Sequence, residues 1–289
     1  MLYKSGVTQL KRKNAVRLEA WHQSMKKIFQ ALGDEPLHVK LIVDLLVIGI
    51  CYLPYFILKT LPPLERLFSV TDSAISFPFT EKEKISSSIL PLFTTIIPLA
   101  ILTGCIVCNK PRNKRLLCVF VGWAFAMMVT MNVTVLAKAT VGRLRPDFLA
   151  RCQPRMDDRM KLVCLGDEKA VMEGRRSFPS GHTSYSFAGL GYTGFVLAGQ
   201  LGVFSGRGAA YKLLIVLLPF LLASYVGLTR VTDYRHHWED VLSAAVLGIV
   251  MAYLSYRVHF PSIMCSVQIV EPARPLHSSN EAIDSSNLV

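Results

Sequence analysis

Three short polar clusters interrupt an otherwise apolar chain of 289 residues. The first runs Lys138-Ala-Thr-Val-Gly-Arg-Leu-Arg145-Pro146, the second is Pro179-Ser180-Gly181-His182, and the third runs from Thr229-Arg230 through His236 to Asp240. Their residue types suit the handling of a phosphate. Lys138, Arg145 and Arg230 supply fixed positive charge, Arg through planar bidentate contacts and Lys as a point charge. Ser180 and Gly181 stand at an expected helix start, where Ser caps the first turn and Gly lets backbone N–H groups approach an anion. His182 and His236 offer proton transfer and a nucleophile. Asp240 follows His236 by four residues, and on a helix that spacing sets the carboxylate beside the imidazole, fixing its tautomer and freeing the other ring nitrogen. Each cation alone reads more readily as a snorkelling side chain at a membrane surface. Their joint placement with two histidines reverses that reading.

The clusters resemble the three motifs of the lipid phosphate phosphatases of the type 2 phosphatidic acid phosphatase superfamily: Lys-x6-Arg-Pro, Pro-Ser-Gly-His and Ser-Arg-x5-His-x3-Asp. Lys138, Arg145 and Pro146 match the first, Pro179 to His182 the second, and Arg230, His236 and Asp240 the third. Thr229 stands where the family has Ser and keeps the hydroxyl. GRLRPDFLARCQP, from Gly142 to Pro154, and DYRHH, from Asp233 to His237, look like the fungal diacylglycerol pyrophosphate phosphatases. The resemblance runs from Val39 to Phe260 and implies hydrolysis of phosphatidate, lysophosphatidate and diacylglycerol pyrophosphate. Sphingoid-base phosphates and polyprenyl diphosphates would suit the same motifs, and a non-catalytic phospholipid binder or transporter would be favoured only if a catalytic His were missing.

Attack is assigned to His236, with a phosphohistidine intermediate, because a neutral imidazole is already nucleophilic whereas Ser180 would need a base and would form a stable ester. His182 then protonates the leaving group and later activates water. His237 is a rival that proximity to Asp240 does not exclude; the family spacing chooses His236. His182, His236, His237 and Asp240 could be arranged as metal ligands, but a cationic cradle repels a divalent ion, so neither metal nor cofactor is expected. Arg143, Arg175 and Arg176 stand nearby, either for a second phosphate or as solvated loop charges.

The elements that must position these groups are membrane helices. Hydrophobic residues make up 52% of the chain, against about 45–50% in soluble domains even with Gly counted. Apolar stretches at Val39–Leu58, Ser87–Cys108, Leu116–Val135, Ser184–Leu201, Leu213–Leu228 and Val241–Phe260 predict an all-α integral membrane protein of six transmembrane helices. Lys and Arg before the first stretch, and Lys110, Arg112, Lys114 and Arg115 after the second, place those segments in the cytosol. Alternation then puts all three motif loops on the extracytoplasmic or lumenal face. The net charge of +12 is spread over termini and short loops, which fits topology and lipid phosphate rather than nucleic acid.

Three regions follow: a basic cytosolic N-terminus, residues 1–38; a six-span membrane domain, residues 39–260; and a disordered cytosolic tail, residues 261–289. Within the first, residues 14–32 carry apolar residues at helical spacing, as in an interfacial amphipathic helix. Cys152 and Cys164 share the lumenal loop between the first two motifs and are expected to form a disulfide. The fungal likeness implies a vacuolar or other endomembrane.

Overall fold

The computed structural model describes residues 36–108, 113–158, 162–205 and 208–264. The amphipathic stretch and all but the first residues of the C-terminal tail lie outside them. In chain order the elements are α1 (Leu37–Thr60), a π-helical turn (Leu92–Ile96) leading into α2 (Ile97–Cys108), α3 (Asn113–Val141), α4 (Phe148–Cys152), strands β1 (Pro154–Met156) and β2 (Leu162–Cys164), α5 (Glu168–Gly174), α6 (Gly181–Leu201), α7 (Ala210–Thr232) and α8 (Trp238–His259). The six apolar stretches of the sequence fall on α1, on α2 with the turn before it, and on α3, α6, α7 and α8; α2 itself has only 12 residues.

Among the described residues, α1, α3, α7 and α8 are long and apolar enough to cross a membrane. Leu45, Leu46, Ile50 and Leu53 of α1, Leu214, Leu218 and Leu221 of α7, and Leu242, Val246 and Leu254 of α8 are exposed. Such continuous apolar surface is stable against lipid and not against water, so the chain is an integral membrane protein. α6 is built differently. Most of its residues are buried, many of them Gly, Ala, Ser and Thr, and it packs on α2, α3, α7 and α8. In lipid, where helices gain little from mutual hydrophobicity, small residues let backbones approach and hydroxyls bond across the interface. Thr134 Oγ1 of α3 thus lies 3.0 Å from Ser184 Oγ of α6.

The π-helical turn follows from Pro98, whose ring excludes the usual bond to the carbonyl of Thr94 four residues back. That carbonyl turns outward against α6 at Gly189, where an added Cβ would sit 2.4 Å from it. At the other site-forming bend, Gly142 ends α3 with φ +58°. Only Gly adopts this left-handed conformation freely, and a Cβ would also strike Leu64 O. The bend turns the chain from Lys138 on α3 toward Arg145.

Between α3 and α6 the chain forms a small layer of short elements, α4, β1, β2 and α5. β1 and β2 pair antiparallel, with Arg155 opposite Val163. Cys152 and Cys164 are joined in a disulfide, and Cys152 packs with Ile75, Leu144 and Phe148 in a satellite core. Closing a loop of this size stabilises a fold by about 3 kcal/mol in the chain-entropy treatment. Mass spectrometry of unreduced protein is expected to recover the two cysteines linked, and Cys152→Ser to lower the melting temperature. Free thiols at both positions would overturn this.

Candidate active site

Each motif enters the site from a helix end. Lys138 projects from the last turn of α3, and its Nζ donates to Arg176 O at 2.5 Å. Arg145 follows the Gly142 bend, pinned by its own N–H donating to Gly174 O at 2.8 Å, with its guanidinium paired to Glu173. Ser180 is the N-cap of α6: its Oγ accepts from Thr183 Oγ1 at 2.9 Å and, more weakly, from Thr183 N. A Cβ at Gly181 would lie 3.7 Å from Lys138 Cε, so the first and second motifs touch. Ser180 N donates to Asp240 O at 3.2 Å and joins the second motif to the third.

Arg230, 1% exposed, closes α7. It donates to Glu83 Oε2 at 2.7 Å, to Asp233 Oδ2 at 3.0 Å and to Thr229 Oγ1 at 3.2 Å. Tyr234, with φ +54°, stacks on Phe77 and reverses the chain between α7 and α8. His236 N then donates to Arg230 O at 3.2 Å, which ties the reversed chain back to the end of α7. A left-handed non-Gly residue is a local strain that the surrounding contacts must hold.

The relation of His236 to Asp240 differs from the expectation. The four-residue spacing does not act along a helical face, because α8 begins only at Trp238, with His237 as its N-cap. Asp240 is the third helical residue and reaches back in a capping box, its Oδ2 accepting from His237 N at 3.1 Å. The same carboxylate accepts from Ser177 Oγ at 2.6 Å and from Arg143 at 2.7 Å. His236 Nδ1 lies 3.8 Å from Asp240 Oδ2 and 3.5 Å from Ser177 Oγ. Asp240 and Ser177 therefore face Nδ1 together, favouring the tautomer that carries its proton there and leaves the Nε2 lone pair free.

His237 is committed on both ring nitrogens. Its Nε2 is 3.1 Å from Ala74 O, to which it can only donate, and its Nδ1 lies 3.3 Å from Asp240 Oδ2. Both nitrogens are engaged with the protein. Among the described residues no group of three His, Cys, Asp or Glu side chains is arranged to hold a metal ion.

The field at the site is set by its cations. Burial above all, with the charges of Arg230, Arg145 and Lys138, pushes the His182 imidazole down to about 3. His236 is likewise held well below the ordinary imidazole range, first by burial and then by Arg145 and Lys138, with Asp240 opposing. Both rings are neutral at pH 7. The Arg145 Nε–H, a donor, and His182 Nε2, the ring nitrogen opposite the one bonded to the backbone of Ile85, have no hydrogen-bond partner among the described residues.

Arg143, Arg175 and Arg176 serve the frame. Arg143 clamps Asp240 and reaches Glu239 at 3.5 Å, Arg175 donates to Arg66 O and lies over the Phe148 ring, and Arg176 donates to Leu61 O at 2.6 Å. A chain of buried ion pairs that the sequence did not announce supports the floor. Asp147 binds Arg151 and Arg235, Arg235 binds Glu83, and Glu83 binds Arg230. Phe79 lies between Arg151 and Arg235. Asp233 and Arg235 belong to the DYRHH stretch and Asp147 follows Arg145-Pro146, so proximity to the motifs was their one signal.

A helical membrane protein with a buried cluster of cations and two histidines is the class these features define. Residues 115–264 match the PAP2 superfamily, and the chain belongs to that superfamily. It is 39% identical over 240 residues to a Schizosaccharomyces pombe protein named Probable diacylglycerol pyrophosphate phosphatase 1, covering 78% of this chain and 85% of that one. It is 41% identical to Lipid phosphate phosphatase 2 of Arabidopsis thaliana, over 60% of this chain and 61% of the relative. Diacylglycerol pyrophosphate phosphatase 1 of Saccharomyces cerevisiae is 36% identical, over 70% and 73%. No solved structure gave a significant match.

Proposed function

We propose that this protein is an integral-membrane lipid phosphatase that removes a terminal phosphate from phosphatidate, lysophosphatidate and diacylglycerol pyrophosphate. One observation carries the reading: three motifs distant in sequence touch one another at helix ends, and there the buried Arg145 Nε–H has no acceptor among the described residues. A phosphoryl oxygen supplies one. The names of the fungal and plant relatives point the same way.

In this mechanism Lys138, Arg145 and Arg230 neutralise the phosphate, aided by the N–H groups at the start of α6 beside Ser180 and Gly181. The incoming dianion also reverses the field that keeps His182 neutral, so that ring takes up a proton when substrate binds. His236 Nε2 attacks phosphorus, the bond from phosphorus to the leaving oxygen breaks, and that oxygen receives the His182 proton. His182, now neutral, accepts a proton from water as it attacks the phosphohistidine, which releases phosphate and restores His236. Asp240 balances the positive charge that His236 gains on attack.

Purified protein is expected to release phosphate from dispersed phosphatidate in excess EDTA without added magnesium, and vanadate to inhibit it as a trigonal mimic of the transferred group. Loss on chelation that one divalent ion restores would replace the metal-free mechanism.

We further read the fold as six spans, with both termini cytosolic and the site on the lumenal face of an endomembrane such as the vacuole. The cytosolic charges support this orientation, and it sets the cradle at the headgroup level, where lipid enters laterally. Asp158→Cys should react with an impermeant thiol reagent only after cytosol-side-out vesicles are opened, whereas Phe204→Cys should react in sealed ones. The opposite labelling pattern overturns the orientation.

A further inference from the structure

The C-terminal end of α5 supplies oxygens to both cations of the first motif. Glu173 pairs with the Arg145 guanidinium, Gly174 O accepts from Arg145 N, and Arg176 O accepts from Lys138 Nζ. The pair is lopsided: the Arg145 side chain is 10% exposed and that of Glu173 is 49% exposed. A carboxylate so placed is an arm reaching in from solvent onto a guanidinium already fixed through its own backbone. Burial opposes its ionisation, but Arg145, Lys138, Arg176 and Arg151 outweigh that and hold the Glu173 carboxyl below its usual range. Near neutral pH the cradle therefore contains an anion of its own.

A phosphoryl group that takes bidentate contact from Arg145 through the unpartnered Nε and the adjoining Nη2 competes with Glu173 for Nη2. We propose that Glu173 is a specificity-determining internal competitor, displaced by a dianionic terminal phosphate and not by the monoanionic diester of an ordinary phospholipid. Exchanging one monoanion for another gains no charge attraction, and the tethered carboxylate holds the advantage of high effective concentration. A dianion brings one further unit of charge against Lys138, Arg145 and Arg230 in a site of low dielectric, where that unit counts for more than in water. In a bilayer, diester headgroups surround the site, and a cradle lacking this carboxylate would fill with them. The inference rests on the phosphate-site reading above and adds the charge threshold for entry.

The test uses the full chain in mixed micelles, with phosphatidate as substrate and phosphatidylglycerol as the monoanionic diester. Glu173→Gln keeps the shape of the side chain and removes the charge. It should be inhibited at a mole fraction of phosphatidylglycerol about five-fold or more below that needed for wild type, and Glu173→Asp should restore resistance. Glu173→Ala is the second variant, with the same expectation, should the Gln form fail to fold. Equal inhibition of wild type and the neutral variants, or weaker inhibition of the latter, overturns the competitor role. Vanadate binding, followed by thermal shift without turnover, separates the two readings. Wild type that binds vanadate while diester inhibition stays unchanged sinks the competitor alone, whereas failure of wild type to bind vanadate or cleave phosphatidate removes the phosphate site and the competitor with it.

Discussion

His236→Ala is expected to reduce turnover by roughly 10⁵–10⁶-fold, the scale for removing a covalent nucleophile that acts in concert with its base. His237→Ala is expected to keep a readily measured fraction. The two rings are adjacent in the chain and both lie near Asp240, yet their surroundings differ. His237 spends one nitrogen on Ala74 O and the other on the first turn of α8, so its loss weakens a helix cap, an effect of about 1 kcal/mol. His236 has Nδ1 toward Ser177 and Asp240 and a neutral ring in the field of Arg145 and Lys138. Rapid acid-stable quenching conditions do not suit a phosphohistidine, so the intermediate should be trapped in alkali from radiolabelled substrate. Label should appear in wild type and in His237→Ala and be missing from His236→Ala. Turnover by His236→Ala near the wild-type rate would remove the assignment, and equal loss in both variants would return His237 to contention.

The long helices were legible because a lipid-facing helix must stay apolar over its whole length, a constraint that leaves its mark on every turn. α6 was found by the same rule for a different physical reason, since its small residues answer to neighbouring helices rather than to lipid. The residues that meet at the site were legible from their motifs. What spacing misjudged was the start of α8: Asp240 was read as one helical turn from His236, whereas it stands at the third position of a helix that His237 caps. An acidic residue three places after a capping residue is a signal of that arrangement, and reading it would have separated the two histidines. The partners of the arginines were out of reach for another reason. Glu83 lies 147 positions from Arg230 and Arg143 lies 97 from Asp240, so these pairings are products of tertiary packing with no local pattern. The same holds for Glu173, whose meaning depends on the bend at Gly142 carrying Arg145 beneath the end of α5.

Arg145→Ala and Arg230→Ala should both lose catalysis by about 10³-fold, the effect of removing one preorganised donor from a developing anion, while differing sharply in stability. Arg230 is enclosed among Asp233, 3% exposed, and Glu83, 23% exposed, and Asp233 Oδ2 also accepts from Lys84 N at 2.9 Å. Deleting the guanidinium leaves the buried Asp233 carboxylate with the Lys84 N–H alone and Glu83 with Arg235 alone. Breaking a buried pair in this way costs about 3–5 kcal/mol. Arg145 is paired to a carboxylate that is half in solvent already, so Glu173 can swing outward when its partner is removed, and the pairing energy at such an exposed group is small. Arg145→Ala should therefore melt closer to wild type while remaining inactive, and Arg230→Ala should melt well below both. Lys at position 145 restores charge without the planar fork and should recover only a minor part of kcat/KM. A thermal melt paired with phosphate release on the same preparations decides the matter. An Arg145→Ala protein with near wild-type kcat/KM would take Arg145 out of the cradle, and an Arg230→Ala protein as stable as wild type would show that Glu83 and Asp233 do not depend on that charge.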